Sequence, residues 1–114
     1  NRFYEKRPWG YFDVLLDSEA CKVKKLYILP FKKLSLQYHK HRNEHWFIVS
    51  GIATIHLDGK NFDAEVGNSI DVKKGKIHSI GNSQKNELII IEIQTGKYFG
   101  EDDIVRLEDL YDRG

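Results

Sequence analysis

Gln37-Tyr38-His39-Lys40-His41-Arg42-Asn43-Glu44-His45 is the stretch on which the reading of this sequence turns. Side chains along a strand alternate, so strand geometry puts Gln37, His39 and His41 on one face and Leu36, Tyr38 and Lys40 on the other. Polar, metal-capable side chains aimed one way do not make a core face, because burying them unpaired is costly. Such a face is either solvated or holds something.

Working outward, short alternating or apolar runs fill most of the chain. Tyr11–Leu16, Cys21–Leu29, Leu34–His41, His45–Ser50, Ile52–Leu57, Asn68–Val72, His78–Ile80 and Leu88–Gln94 read as strands. Turn chemistry separates them, at Leu29-Pro30, Ser50-Gly51, Val66-Gly67-Asn68, Lys74-Gly75, Gly81-Asn82 and Thr95-Gly96. Asp58-Gly59, between Ile55-His56-Leu57 and Lys60-Asn61-Phe62, predicts a tight hairpin. About eight strands at a spacing of roughly 8–12 residues predict a sandwich or barrel rather than βαβ units. After Glu101-Asp102-Asp103, the spacing of Ile104, Leu107, Leu110 and Tyr111 predicts a short C-terminal helix docked by one face.

Composition narrows the function classes. The 114 residues read as a single domain over residues 1–114. Lys and Arg total 18 against 17 Asp and Glu, a net charge of +1, which argues against a nucleic-acid binder. The greasiest run, Leu88–Ile93, is strand-sized and carries Glu92, so no membrane span is expected. A lone cysteine, Cys21, permits no internal disulfide and suits a reducing compartment; with no charged-then-apolar leader, the expectation is cytoplasmic.

A second segment, Gly67-x5-Lys73-x-Gly75-x2-His78-x3-Asn82, presents His78 between turns. With the first stretch it resembles the two-motif signature of the cupin superfamily, His-x-His-x3–4-Glu-x6-Gly followed by Gly-x5-Pro-x-Gly-x2-His-x3-Asn. Glu44 is followed by six residues and then Gly51, and the sequence fits Gln37-x-His39-x4-Glu44-x6-Gly51 with Gln in the first ligand slot. The competing register, His39 with His41, leaves only two residues before Glu44. Lys73 stands where the motif has Pro, which affects a turn and not a ligand. The resemblance implies an all-β fold, a cupin jelly-roll β-barrel, with Gln37, His39, Glu44 and His78 as metal ligands, and a homodimer. A mixed nitrogen and oxygen set suits zinc, manganese, iron, cobalt or nickel without choosing among these divalent ions.

A closer likeness covers nearly the whole chain. Arg7-Pro8-Trp9-Gly10-Tyr11, the Ser35–Trp46 segment, and Gly96-Lys97-Tyr98-Phe99-Gly100-Glu101-Asp102-Asp103-Ile104-Val105-Arg106 resemble the C-terminal phosphomannose isomerase domain of type II mannose-6-phosphate isomerase / mannose-1-phosphate guanylyltransferase. Departures are Lys40, where that family commonly has another His, and Asp112, where it has Gly before Arg113. The resemblance implies a metal-dependent aldose–ketose isomerase interconverting mannose-6-phosphate and fructose-6-phosphate. In that reading the metal acts as Lewis acid, His41 shuttles the proton with Glu92 as its rival, and Arg42 and Arg106 grip the sugar phosphate. A sugar-binding or regulatory cupin module, or another small metal cupin such as an oxygenase, stays open beside it. No Gly-rich nucleotide loop occurs, so nucleotidyl transfer is not expected of this segment. Trp9 and Trp46 are expected to pack the core, and Arg7 to be a surface or ion-pair residue.

Overall fold

The computed structural model describes residues 3–107. Among the described residues eleven strands form in chain order: β1 (Phe3–Arg7), β2 (Gly10–Asp17), β3 (Cys21–Ile28), β4 (Gln37–His39), β5 (Arg42–Ser50), β6 (Ala53–Leu57), β7 (Lys60–Ala64), β8 (Ser69–Val72), β9 (His78–Gly81), β10 (Leu88–Gly96) and β11 (Ile104–Arg106). They make a six-stranded sheet, β1-β2-β3-β10-β5-β8, facing a five-stranded sheet, β11-β4-β9-β6-β7. Every pairing is antiparallel, the arrangement of a jelly roll. The β6–β7 hairpin turns at Asp58 (φ 51°) and Gly59 (φ 83°), the doubly left-handed turn that Asp-Gly favours.

The inward rows of β5 and β10 change character along their length, and that change positions the site. On β10 the buried side chains run Leu88, Ile90, Glu92, Gln94; on β5 they run Ile48, Trp46, Glu44, Arg42. Antiparallel register sets Ile90 opposite Ile48, Glu92 opposite Trp46 and Gln94 opposite Glu44. The apolar halves join Phe12, Leu26, Ile28, Ile55, Ile70, Val72 and Ile80 in one core. The polar halves converge at the other end of the barrel.

Two expectations are corrected here. Among the described residues the C-terminal segment is not an α-helix: a 3-10 turn at Glu101–Asp103 leads into β11. Ile104, Val105 and Arg106 pair with His39, Tyr38 and Gln37 of β4. The exposed hydrogen-bonding edge of β4 and the β-branched pair Ile104-Val105 outweigh the helical spacing. Leu110 and Tyr111 lie outside the described residues. The second correction is the strand expected over Leu34–His41, which extends only over Gln37–His39. The chain turns at Lys40 and His41, so alternation stops before His41 and leaves it exposed.

Candidate metal centre and its cationic cavity

Strand pairing brings the candidate ligands together from distant parts of the chain. Gln37 on β4 lies directly opposite His78 on β9. His39 closes β4, and Glu44 enters from the inward row of β5. Donor atoms of His39, Glu44 and His78 all lie within 4.8 Å of one another, and all three residues are buried. His39 Nε2 stands 3.5 Å from Glu44 Oε2, and the two imidazole centroids are 5.0 Å apart.

Neighbouring groups orient three of the donors. His78 donates its Nδ1–H to the Lys76 carbonyl at 2.9 Å, which leaves the Nε2 lone pair for a ligand. The Gln37 amide donates to the Ser35 carbonyl at 3.0 Å, leaving its own carbonyl oxygen as the free acceptor. Trp46 Nε1–H donates to Glu44 Oε1 at 3.1 Å, so this tryptophan orients a ligand as well as packing the core. Burial, with help from the Arg42 charge and then His78, lowers the His39 pKa to about 3. Burial also lowers that of His78. Both rings are therefore neutral near pH 7, the form that ligates metal.

The donor set opens on a cavity of about 50 Å³ whose lining includes Arg7, Lys24, Gln37, Arg42, Glu44, His78, Glu92 and Arg106. Glu92 is buried and accepts from Gln94 Nε2 at 2.7 Å. Burial, then the neighbouring Glu44 charge, raises its pKa to about 7, against the opposing pull of Lys24 and Arg42. Lys24 pairs in register with Glu92 and sets its ammonium 4.3 Å from the Phe12 ring centroid. Arg106, opposite Gln37 on β11, has a buried Nε–H with no hydrogen-bond partner among the described residues.

The structure thus gathers His39 with Glu44 and His78, and lines one cavity with Gln37, Glu44, His78, Arg42, Glu92 and Arg106. It does not bring His41 there. His41 is exposed, edge-on to Tyr98 with centroids 6.5 Å apart, in a separate surface depression with Lys40 and Asp102. Sequence reasoning missed Lys24, while Arg7, expected as a surface or ion-pair residue, pairs with Glu5 at 2.7 Å and also lines the cavity. The signal for Lys24 was its alternation with Leu26 and Ile28, which turns it inward on β3.

Fold and donor set together define a cupin-type domain, and comparison with known proteins agrees. The cupin domain of Schizosaccharomyces pombe Cnp3 superposes with a TM-score of 0.72 at 16% identity, over 75% of this chain and 64% of that one. The family model described as "Mannose-6-phosphate isomerase C-terminal" matches residues 2–109, and the chain belongs to that family. It is 44% identical over 107 residues to alginate biosynthesis protein AlgA of Pseudomonas aeruginosa, covering 94% of this chain and 22% of that protein. It is 42% identical over 103 residues to a mannose-1-phosphate guanylyltransferase of Sinorhizobium fredii, covering 90% of this chain and 20% of the relative. The chain therefore spans about a fifth of the length of these relatives.

These names correct the expected mannose-6-phosphate isomerase activity. Relatives from several bacteria are named as guanylyltransferases, a different reaction from aldose–ketose isomerisation. Of the two expected proton shuttles, His41 lies in a separate surface depression and Glu92 lines the cavity.

Proposed function

We propose that this domain holds a divalent metal ion and binds a mannose phosphate beside it, serving a protein of the mannose-1-phosphate guanylyltransferase kind. The observation that carries the reading is the buried Nε–H of Arg106, without a hydrogen-bond partner among the described residues, in a cavity also lined by Arg7, Lys24 and Arg42. An unmade charged hydrogen bond costs stability unless a ligand completes it, and phosphate matches the guanidinium fork. The relatives' names support mannose phosphate as that anion.

The metal reading rests on the donor chemistry: two neutral imidazoles, one carboxylate and the carbonyl oxygen of Gln37, with Gln37, Glu44 and His78 each oriented by a neighbour. His39, Glu44 and His78 would hold the ion, with Gln37 as fourth donor. A bound divalent ion supplies a Lewis acid for sugar oxygens. Arg106 and Lys24 bind the anionic end, Glu92 exchanges a hydrogen bond with the ligand at its carboxyl, and Trp46 keeps Glu44 in place. Free Cys21 supports a reducing, cytoplasmic setting. Exposed Phe47 and Val49, on the outer face of the six-stranded sheet, support pairing with a second copy, which sedimentation at micromolar concentration tests.

Calorimetry with mannose-1-phosphate, mannose-6-phosphate and unphosphorylated mannose, in manganese and in chelator, tests the ligand. Expected is binding of a phosphorylated sugar that needs metal and is lost in Arg106→Ala. Equal binding of mannose and its phosphates, or no binding, overturns the reading.

A further inference from the structure

Arg42 contacts, through its guanidinium, two of the residues that would hold a metal, His39 and Glu44. It sits on the first residue of β5, just past the turn that leaves His39, and its side chain is 3% exposed. Its Nη2 lies 2.9 Å from His39 Nε2 and 3.0 Å from Glu44 Oε2, while its Nε donates to the same Glu44 oxygen at 3.1 Å. Guanidinium nitrogens carry protons and no lone pair, so His39 Nε2 must be the acceptor in that contact. The lone pair in use is the one His39 would give to a metal, and the Glu44 oxygen is the one nearest His39. A single imidazole lone pair serves one partner at a time. A fixed positive charge about 3 Å from both donors also repels a dication, and low dielectric strengthens that repulsion.

Arg42 also faces the cavity that the donor set borders. Arg42 is the lining side chain that a metal would dislodge, and among the described residues its further hydrogen bond beyond the donor set is a long one, 3.4 Å from Nη1 to the Phe99 carbonyl.

We propose that Arg42 and the metal ion compete for the same donor atoms of His39 and Glu44, and that metal binding turns Arg42 into an anion-binding arm of the cavity. Resting on the metal reading above, this adds an order to it: without metal the guanidinium neutralises Glu44 and fills the donor set. With metal it is released, and its fork is free for the phosphate of the ligand. Metal and anion then bind with positive coupling, each favouring the same released state of Arg42.

The test is zinc titration by calorimetry of the wild-type chain, Arg42→Gln and the control His39→Ala, then titration of each with inorganic phosphate. Competition predicts that Arg42→Gln binds zinc tighter than wild type by about tenfold or more, within the usual range of coupling between sites. It also predicts that zinc raises phosphate affinity in wild type and not in Arg42→Gln. Weaker or unchanged zinc affinity in Arg42→Gln overturns the proposal and leaves the metal centre standing, with Arg42 merely orienting Glu44. If neither protein binds zinc, or His39→Ala binds it equally well, the metal reading fails and takes this inference with it. Should Arg42→Gln not fold, the side-chain Nε–H resonance of Arg42 in the wild-type protein decides. Its shift on zinc saturation supports release, and an unchanged resonance at full occupancy overturns it.

Discussion

Asp103 accepts the backbone N–H of His41 at 3.0 Å, across 62 residues of chain, and its other carboxylate oxygen takes the N–H of Lys40 at the same distance. The carboxylate is buried and ties the C-terminal segment to the turn between His39 and Arg42. That turn sets where both the last β4 ligand and the competing guanidinium lie.

Replacing Asp103 with Ala leaves two backbone donors without their acceptor, at a cost of about 2–3 kcal/mol for charge-assisted bonds. Chemical denaturation should show that loss. Metal affinity should fall with it by about 10–100-fold, the usual effect of removing a group that orients ligands.

Ligand assignments separate by metal content. His39→Ala and His78→Ala should each lose stoichiometric metal after dialysis, whereas Gln37→Ala should weaken it less because a neutral amide oxygen is a poorer donor. His41→Ala should retain metal near the wild-type level, since its ring lies outside the donor set. Elemental analysis of the four variants checks this; metal lost from His41→Ala and kept in Gln37→Ala reverses the assignment.

Glu92 gives the metal-free protein a pH signature. Its folded pKa is raised from 4.5 to about 7, so the folded state holds a proton that the unfolded state has released. The associated stability is present below pH ~4.5 and is lost as pH rises through about 7. Glu92→Gln cannot titrate there. Relative to wild type it should gain stability between those pH values, on the order of 3 kcal/mol at most by the usual equivalence of about 1.4 per unit. Parallel melts in chelator measure the difference, and a pH-independent gap refutes it.

The buried imidazoles act in the opposite sense. His39 falls from 6.5 to about 3 and His78 is lowered too, so the unfolded state binds protons first. Metal-free protein should lose stability as pH drops from about 6.5 towards 3, and His39→Ala should reduce that slope in the same melts.

Gly96 closes β10 at φ 134°, and a Cβ there would stand 2.5 Å from the His41 carbonyl oxygen. Gly96→Ala should therefore destabilise by more than the ordinary strain of about 1 kcal/mol or above for such backbone, and should lower metal affinity by shifting the 40–42 turn.

Much of this protein was determined by local sequence. Alternating runs and Asp58-Gly59 specify strands and a hairpin because strand side chains repeat every second residue and a tight hairpin needs left-handed φ. The motif spacing from Gln37 to Gly51 and from Gly67 to Asn82 marked the residues that pairing brings together. Only tertiary structure decided the rest. Ile104–Arg106 became a strand because β4 offered an unfilled edge, which no helical spacing within the segment can report. His41 left the ligand face because the chain turned where Asp103 holds it, a contact made across 62 residues. Lys24 and Arg42 joined the cavity through their inward positions on β3 and β5, and Arg42 found His39 and Glu44 there. Local pattern fixes which way a side chain faces along its own strand. What it meets depends on the register of strands remote in sequence, and so does whether a positive charge sits among the donors of a metal.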